Sequence, residues 1–165
     1  MPRYLIIDGY NAIHKIDELE AKKDISLEAA RLYFIKLLND FMRRKNTFDK
    51  IFIVFDSKEE ALGVRRYSHG RVEALFATRD KDADSAIVEL LRETSPSDKI
   101  SVASDDNFVK NHARVYSRDV ISIKELENII MLKRQGFKSK IREKELERDD
   151  IKDINTELKK HWGIE

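Results

Sequence analysis

The chain has no cysteine among its 165 residues, which excludes disulfides and thiolate-bound metals and suits a reducing compartment. Its four histidines, His14, His69, His112 and His161, are scattered and form no HxxxH or HExxH spacing, so a zinc centre is not expected. P-loop and GxGxxG glycine patterns are missing, as is any Ser-His-Asp arrangement, which removes support for nucleotide cradling and serine hydrolysis. No apolar run approaches the ~20 residues that span a bilayer, and the aliphatic run Leu5–Ile7 is too short for a signal-peptide core. A soluble, cytoplasmic protein is the expectation. Only two prolines and five glycines interrupt the chain, and it holds no internal repeat or low-complexity tract.

Charge is abundant instead. Asp, Glu, Lys and Arg make up 38% of the residues, yet the net charge is +1. Such density is found in heat-adapted proteins, where surface ion pairs stabilise more as temperature rises. The distribution says more than the sum. "KRQGFKSKIR" (133–142) carries Lys133, Arg134, Lys138, Lys140 and Arg142 with no acid among them, a stripe that permits a polyanionic partner.

Four segments read as buried strands: "YLIID" (4–8), "KIFIVFD" (50–56), "RVEALFA" (71–77) and "KISVAS" (99–104). The unbroken apolarity of "IFIVF" calls for cover on both faces, as a parallel sheet requires. Helical spacing appears between them: Leu27 to Phe41 behind Ser26 as N-cap, Ala83 to Leu91, and Ile123 to Ile130 with Gly136 as the stop. "RVYS" (114–117) reads as an edge strand, and Ser57 to Gly70 as a long loop. From Phe137 the chain is heavily charged, with Ile151, Ile154, Leu158 and Trp162 forming a narrow helical seam. This alternation predicts an α/β fold: a mostly parallel sheet with helices on both faces, in a domain spanning residues 1–136, plus a charged C-terminal helical extension over 137–165.

In such a sheet every parallel strand ends on one edge, where ligands bind. Asp8 and Asp56 end the first two strands, Asp84 opens the helix after the third, and Asp105 and Asp106 follow the fourth. Asp82 rivals Asp84, and either Asp105 or Asp106 caps the next helix while the other points inward. Clustered carboxylates repel and raise one another's pKa. A hard dication such as Mg²⁺ or Mn²⁺ relieves that repulsion, taking a few carboxylates and completing its shell with water and phosphate oxygens. Asn11 and Ser104 stand close enough in sequence to hydrogen-bond these groups.

Asp8-Gly9-Tyr10-Asn11, "IVFD" (53–56), "DADSAI" (82–87) and "ASDD" (103–106), in that order, resemble the NYN branch of the PIN-like nucleases, and most nearly its YacP-like bacterial group. The likeness covers most of residues 3 to 130. It implies a PIN-like, Rossmann-like fold and metal-dependent endoribonuclease activity with Mg²⁺ or Mn²⁺. Asp8, Asp56, Asp84 and Asp105 would form the acidic site, Asn11 would assist, and Asp8, Asp84 and Asp105 would hold the metal. It also implies cleavage of messenger RNA in association with ribosomes. The third-strand likeness of "HGRVEALFA" (69–77) would bring Arg71 near the scissile phosphate. Ser85 stands where relatives often carry a second acid, which leaves open whether one metal or two bind.

Phosphate contacts are expected from Arg65, Arg66, His69 and Arg71 and from Lys138, Lys140 and Arg142. Arg43, Arg44 and Lys45 read as a solvated helix end favourable to the dipole. Tyr67 is a candidate base-stacking ring; Tyr10 reads as packing against the sheet edge. The competing reading is a non-catalytic RNA- or ribosome-binding module, although a binder of polyanions gains nothing from clustered acids. A phosphatase of similar topology would need a second aspartate where Tyr10 stands.

Overall fold

A computed structural model of the chain describes residues 1–56, 65–77 and 82–131. The elements run β1 (Arg3–Asp8), α1 (Gly9–Lys15), α2 (Asp17–Ile25), α3 (Leu27–Arg44), β2 (Lys50–Asp56), β3 (Arg65–His69), β4 (Val72–Ala77), α4 (Ala83–Glu93), β5 (Lys99–Ala103), α5 (Asn107–Val115), β6 (Asp119–Ile121) and α6 (Ile123–Met131). One sheet holds all six strands in the order β3-β4-β2-β1-β5-β6. β1, β2, β4, β5 and β6 are parallel, and β3 alone runs antiparallel, on β4. β1 is central: the chain leaves it toward β2 and later crosses back to β5 on its other side, which puts the topological switch at the carboxyl end of β1.

Alternation of side chains along each strand builds two cores. Leu5, Ile7, Ile51, Ile53, Phe55, Ala74 and Phe76 pack against α1, α2, α3 and α6. Ile6, Val54, Leu75, Ile100 and Val102 face α4 and α5. Both faces of β2 are covered, as its apolar run requires.

The helices start where capping residues stand. Ser26 Oγ accepts from the Ala29 amide at 2.9 Å to open α3. Asp82 accepts from the Ser85 amide at 2.7 Å to open α4. At α6, Ser122 accepts from the Glu125 amide at 3.0 Å while Glu125 accepts from the Ser122 amide at 3.4 Å, a reciprocal capping box. Gly9 is fixed by space, because a Cβ there would lie 2.4 Å from the Phe55 ring and 2.8 Å from the Val54 carbonyl oxygen.

Three expectations are corrected. Residues 65–69, read as loop, form β3, which Tyr67 ties to the main core. "RVYS" is not an edge strand: its first two residues close α5, whose Val109 and Ala113 face the sheet, and the edge is Asp119–Ile121. Tyr67 is buried and unable to stack on a base. The extension over 137–165, with Lys138, Lys140, Arg142, His161 and Trp162, lies outside the described residues.

Candidate active site

Parallel pairing brings the carboxyl ends of β1, β2, β4 and β5 to one edge. Asp8 pairs in register with Val54, Asp56 with Ala77, and Ile7 with Ala103. Asp8 follows Ile6 by two residues and so leans to the α4/α5 side, where Asp84 stands in the first turn of α4 and Asp106 at the N-cap of α5.

Asp8 is 6% exposed. It occupies the N-cap position of α1 without forming a capping hydrogen bond. Burial pushes its carboxyl up from 3.8 to about 6; the Ser104 hydrogen bond opposes this, the charge of Asp84 adds to it, the nearby Asn11 amide opposes it and Asp106 adds again. Ser104, fully buried, links the two sides of the site: its hydroxyl donates to Asp8 Oδ2 at 3.1 Å and accepts from the Asp106 amide at 3.1 Å.

The rivalries left open by the sequence resolve by hydrogen bonding. Asp82 caps α4, and that bond to Ser85 holds its carboxyl below the usual range. Asp84 is left uncapped and half-buried; burial raises its pKa first, then the charges of Asp106, Asp82 and Asp56. Asp106 caps α5, accepting from the Val109 amide at 3.2 Å, and still acts electrostatically on both Asp8 and Asp84. Asp105 turns elsewhere. Its Oδ2 is bound by Lys15 Nζ at 2.9 Å and its Oδ1 accepts from the Ile123 amide at 3.1 Å at the start of α6. Burial works to raise its pKa, but the Lys15 hydrogen bond, the Ile123 amide and the charges of Lys15 and Lys110 outweigh it and leave the carboxyl below the ordinary value. Asn11 Oδ1 accepts from the Asp105 amide at 2.9 Å, so it fixes this loop. The raised acids are thus Asp8 and Asp84: Asp84 and Asp106 act on Asp8, and Asp106, Asp82 and Asp56 act on Asp84; Asp105 is tied to a cation.

Donor chemistry suits a hard dication: the site offers carboxylate oxygens, with repulsion that a cation would relieve. Among the described residues, no three acidic or histidine side chains stand close enough to enclose an ion. The arrangement therefore fits an open site of the magnesium type, in which two carboxylates take part and water and substrate oxygens fill the rest of the shell.

The expected phosphate contacts divide. β3 begins at this edge, since Arg65 and Arg66 pair in register with Phe76 and Leu75. His69 pairs with Val72 at the opposite edge. Arg71, expected near the scissile phosphate, is there too: its guanidinium donates to the Met42 carbonyl at 2.8 Å and to Asn46 Oδ1 at 3.0 Å. The cause is strand direction, because residue 71 precedes a parallel strand whose carboxyl end is Ala77. Arg43 and Arg44 close α3 at that same far end, Arg43 paired with Asp40 at 3.6 Å. His14 is exposed and contacts Lys23 at 3.0 Å. Ser104, offered by the sequence as a hydrogen-bonding partner of these acids, bridges two of them; sequence reasoning missed Lys15 as the partner of Asp105. It also missed Arg31, whose guanidinium donates to the Tyr10 hydroxyl beside the acidic edge. No helix among the described residues is long and apolar enough to cross a membrane.

Residues 5–162 match the family of YacP-like NYN domains. No curated protein sequence matches the chain. Among solved structures, the crystal structure of Rae1 (YacP) from Bacillus subtilis superposes with a TM-score of 0.68, covering 97% of this chain and 92% of that one at 22% identity. A point mutant of that protein gives a TM-score of 0.62 over 81% of this chain and 78% of its own, at 24% identity. At these identities the two likenesses establish the fold alone.

Proposed function

Because the chain belongs to the family of YacP-like NYN domains, matched over residues 5–162, we propose that it is a metal-dependent endoribonuclease hydrolysing phosphodiester bonds of single-stranded RNA. Messenger RNA on the ribosome is the substrate setting that the resemblance implies. Residues 1–136 are the catalytic domain on this reading, and 137–165 a helical extension of it that brings Lys138, Lys140 and Arg142 to the substrate.

One observation carries the reading: a buried carboxylate, Asp8, ends the central strand at the switch point, held at a pKa of about 6 by burial and by the acids facing it. A strongly raised carboxyl in a cleft marks a functional site, and a bound cation would relieve the repulsion here. Asp8 and Asp84 are on this reading the two carboxylates that hold Mg²⁺ or Mn²⁺, while Asp106, rather than Asp105, adds its charge from outside the ligand shell. When bound, the ion supplies charge stabilisation at the phosphate and a lowered pKa for an attacking water. The chain's own residues do the remaining work. Ser104 fixes Asp8 Oδ2 relative to the Asp106 loop, and Asn11 fixes the Asp105 amide, so both carboxylate-bearing turns are rigid before substrate arrives. On this reading Asp56, exposed at the rim and close enough to act on Asp84, accepts the proton of the attacking water. Arg65 and Arg66, whose backbone opens β3 at this edge, are on this reading the contacts to the RNA backbone.

The test is cleavage of several labelled RNAs by the purified chain with Mg²⁺, with Mn²⁺ and with chelator, beside Asp84→Asn prepared identically. Metal-dependent cleavage that Asp84→Asn lacks by a factor of at least about 100 is expected; equal cutting by the variant would mean a contaminant or a wrong site. A second reading, a non-catalytic RNA- or ribosome-binding module, draws on the fact that no three acids among the described residues enclose an ion. It requires salt-sensitive binding without turnover and indifference to chelator.

A further inference from the structure

Arg31 lies on α3, one turn beyond Ser26, toward the positive end of the helix dipole, where a cation does nothing for the helix. α3 runs against the strands. Met42, near its C-terminal end, meets Arg71 at the amino edge of the sheet, so Arg31, eleven residues earlier, lies about 16 Å further toward the carboxyl edge.

Its surroundings identify the spot. The guanidinium carbon is 5.5 Å from the ring centroid of Tyr10, 5.6 Å from that of Phe76 and 5.8 Å from that of Phe55. Tyr10 is two residues past Asp8, and Phe55 immediately precedes Asp56. Arg31 thus stands on the α3 side of the edge whose α4/α5 side carries the acids.

Buried guanidinium groups are generally neutralised by a carboxylate. Among the described residues Arg31 has no ion pair, one hydrogen bond, to the Tyr10 hydroxyl, and a buried Nε–H with no acceptor. Arg118 also buries an Nε–H without an acceptor, but both its terminal nitrogens are met, by the Asp98 and Ser95 carbonyls and the Thr94 hydroxyl; Arg31 is met by far less. An unmet buried donor lowers stability. Aromatic rings attract a cation through their quadrupole, which orients the group and leaves its full charge in place. The result is a half-buried, pre-oriented and unneutralised guanidinium beside a cluster of carboxylates that must accept a polyanion. Lys15, by contrast, is bound to Asp105, and Arg71 is committed to the far edge.

We infer that Arg31 is a phosphate-binding residue of the active site, taking a backbone phosphate next to the scissile one through the terminal N–H groups that Tyr10 does not occupy, the Nε–H staying buried. Arginine suits the role because its planar fork binds two phosphate oxygens at once. The inference rests on the ribonuclease reading.

The test separates the two. Asp84→Asn provides a non-cleaving background, in which anisotropy of a fluorescein-labelled, unstructured 12-nucleotide RNA reports binding over a salt series. Adding R31M, which keeps the packed stem and removes the charge, is expected to weaken binding about tenfold or more at low salt. It should also make the salt slope shallower by about 0.7. R31K keeps the charge and loses the fork, so its slope should stay while affinity falls a few-fold. R31M with unchanged affinity and slope overturns the role of Arg31 and leaves the nuclease reading standing. Should R31M melt below the assay temperature, R31K decides: affinity equal to that of the background overturns the inference. No RNA binding by Asp84→Asn itself at any salt overturns the nuclease reading and the inference with it.

Discussion

Asp8 meets two opposed demands: it is buried at the centre of the sheet edge, and it must be ionised to hold a cation. Its folded pKa of about 6 against 3.8 means that the folded state binds the proton more tightly than the unfolded one. Stability therefore falls as pH rises from about 4 through 6, and the loss is complete above that. At 1.36 kcal/mol per pH unit the cost at neutral pH is on the order of 3 kcal/mol. Asp8→Asn should accordingly abolish cleavage and, without metal, unfold at higher urea than the parent at pH 7.5, by about 1–3 kcal/mol, with the gap closing near pH 4. A gap that is constant with pH would remove the electrostatic account. The neighbouring pair behaves oppositely. Asp105→Asn loses the Lys15 ion pair and a partner of α6, so it should lose about 1 kcal/mol of stability and retain most activity. Asp106→Asn keeps a capping oxygen for the Val109 amide, so it should retain stability while losing activity by a factor of about 100. Rates and melts of the two variants side by side check this, and the reverse pattern would restore Asp105 to the site. Asp8 and Asp56 were legible in the sequence because strand-ending acids carry a local signature. The choice between Asp105 and Asp106 was not, because it depends on Lys15 and the Ile123 amide, brought in by other elements.

At the scale of elements, the caps and the β5–α5 turn transmit the geometry. Ser104 ties the Asp8 strand end to the Asp106 turn, and its hydrogen bond holds the Asp8 pKa down. Ser104→Ala should raise that pKa further, moving the acid limb of the cleavage pH profile upward while activity at high pH is less affected; an unmoved limb would contradict the role. Arg71 anchors the end of α3 to the amino edge. Arg71→Met is expected to lower stability by about 1 kcal/mol and leave RNA affinity unchanged, which melting and anisotropy measure together. The main strands and helices were readable because their apolar spacing is repeated over several residues. β3 was not, since "RRYSH" offers one apolar ring and becomes a strand only by pairing with β4. "RVYS" misled through its β-branched and aromatic residues, whereas Val109 and Ala113, buried one turn apart, set the helix.

Across the whole molecule, topology gathers what the chain keeps apart. Five parallel strands around β1 bring Asp8, Asp56, Asp84 and Asp106 to one edge, the acids on the α4/α5 side and Arg31 with its three rings on the α3 side. The parallel order and the acidic edge followed from the βα alternation. The placement of Arg71 at the far edge did not, because it turns on which end of a strand a residue occupies in space. The central claim is that Asp8 and Asp84, far apart in sequence, share one dication. Titration calorimetry with Mn²⁺ tests it without relying on turnover: the parent should take up Mn²⁺ with Mg²⁺ competing, and Asp84→Asn should take up far less. Equal uptake by the two proteins, or none by the parent, would contradict it.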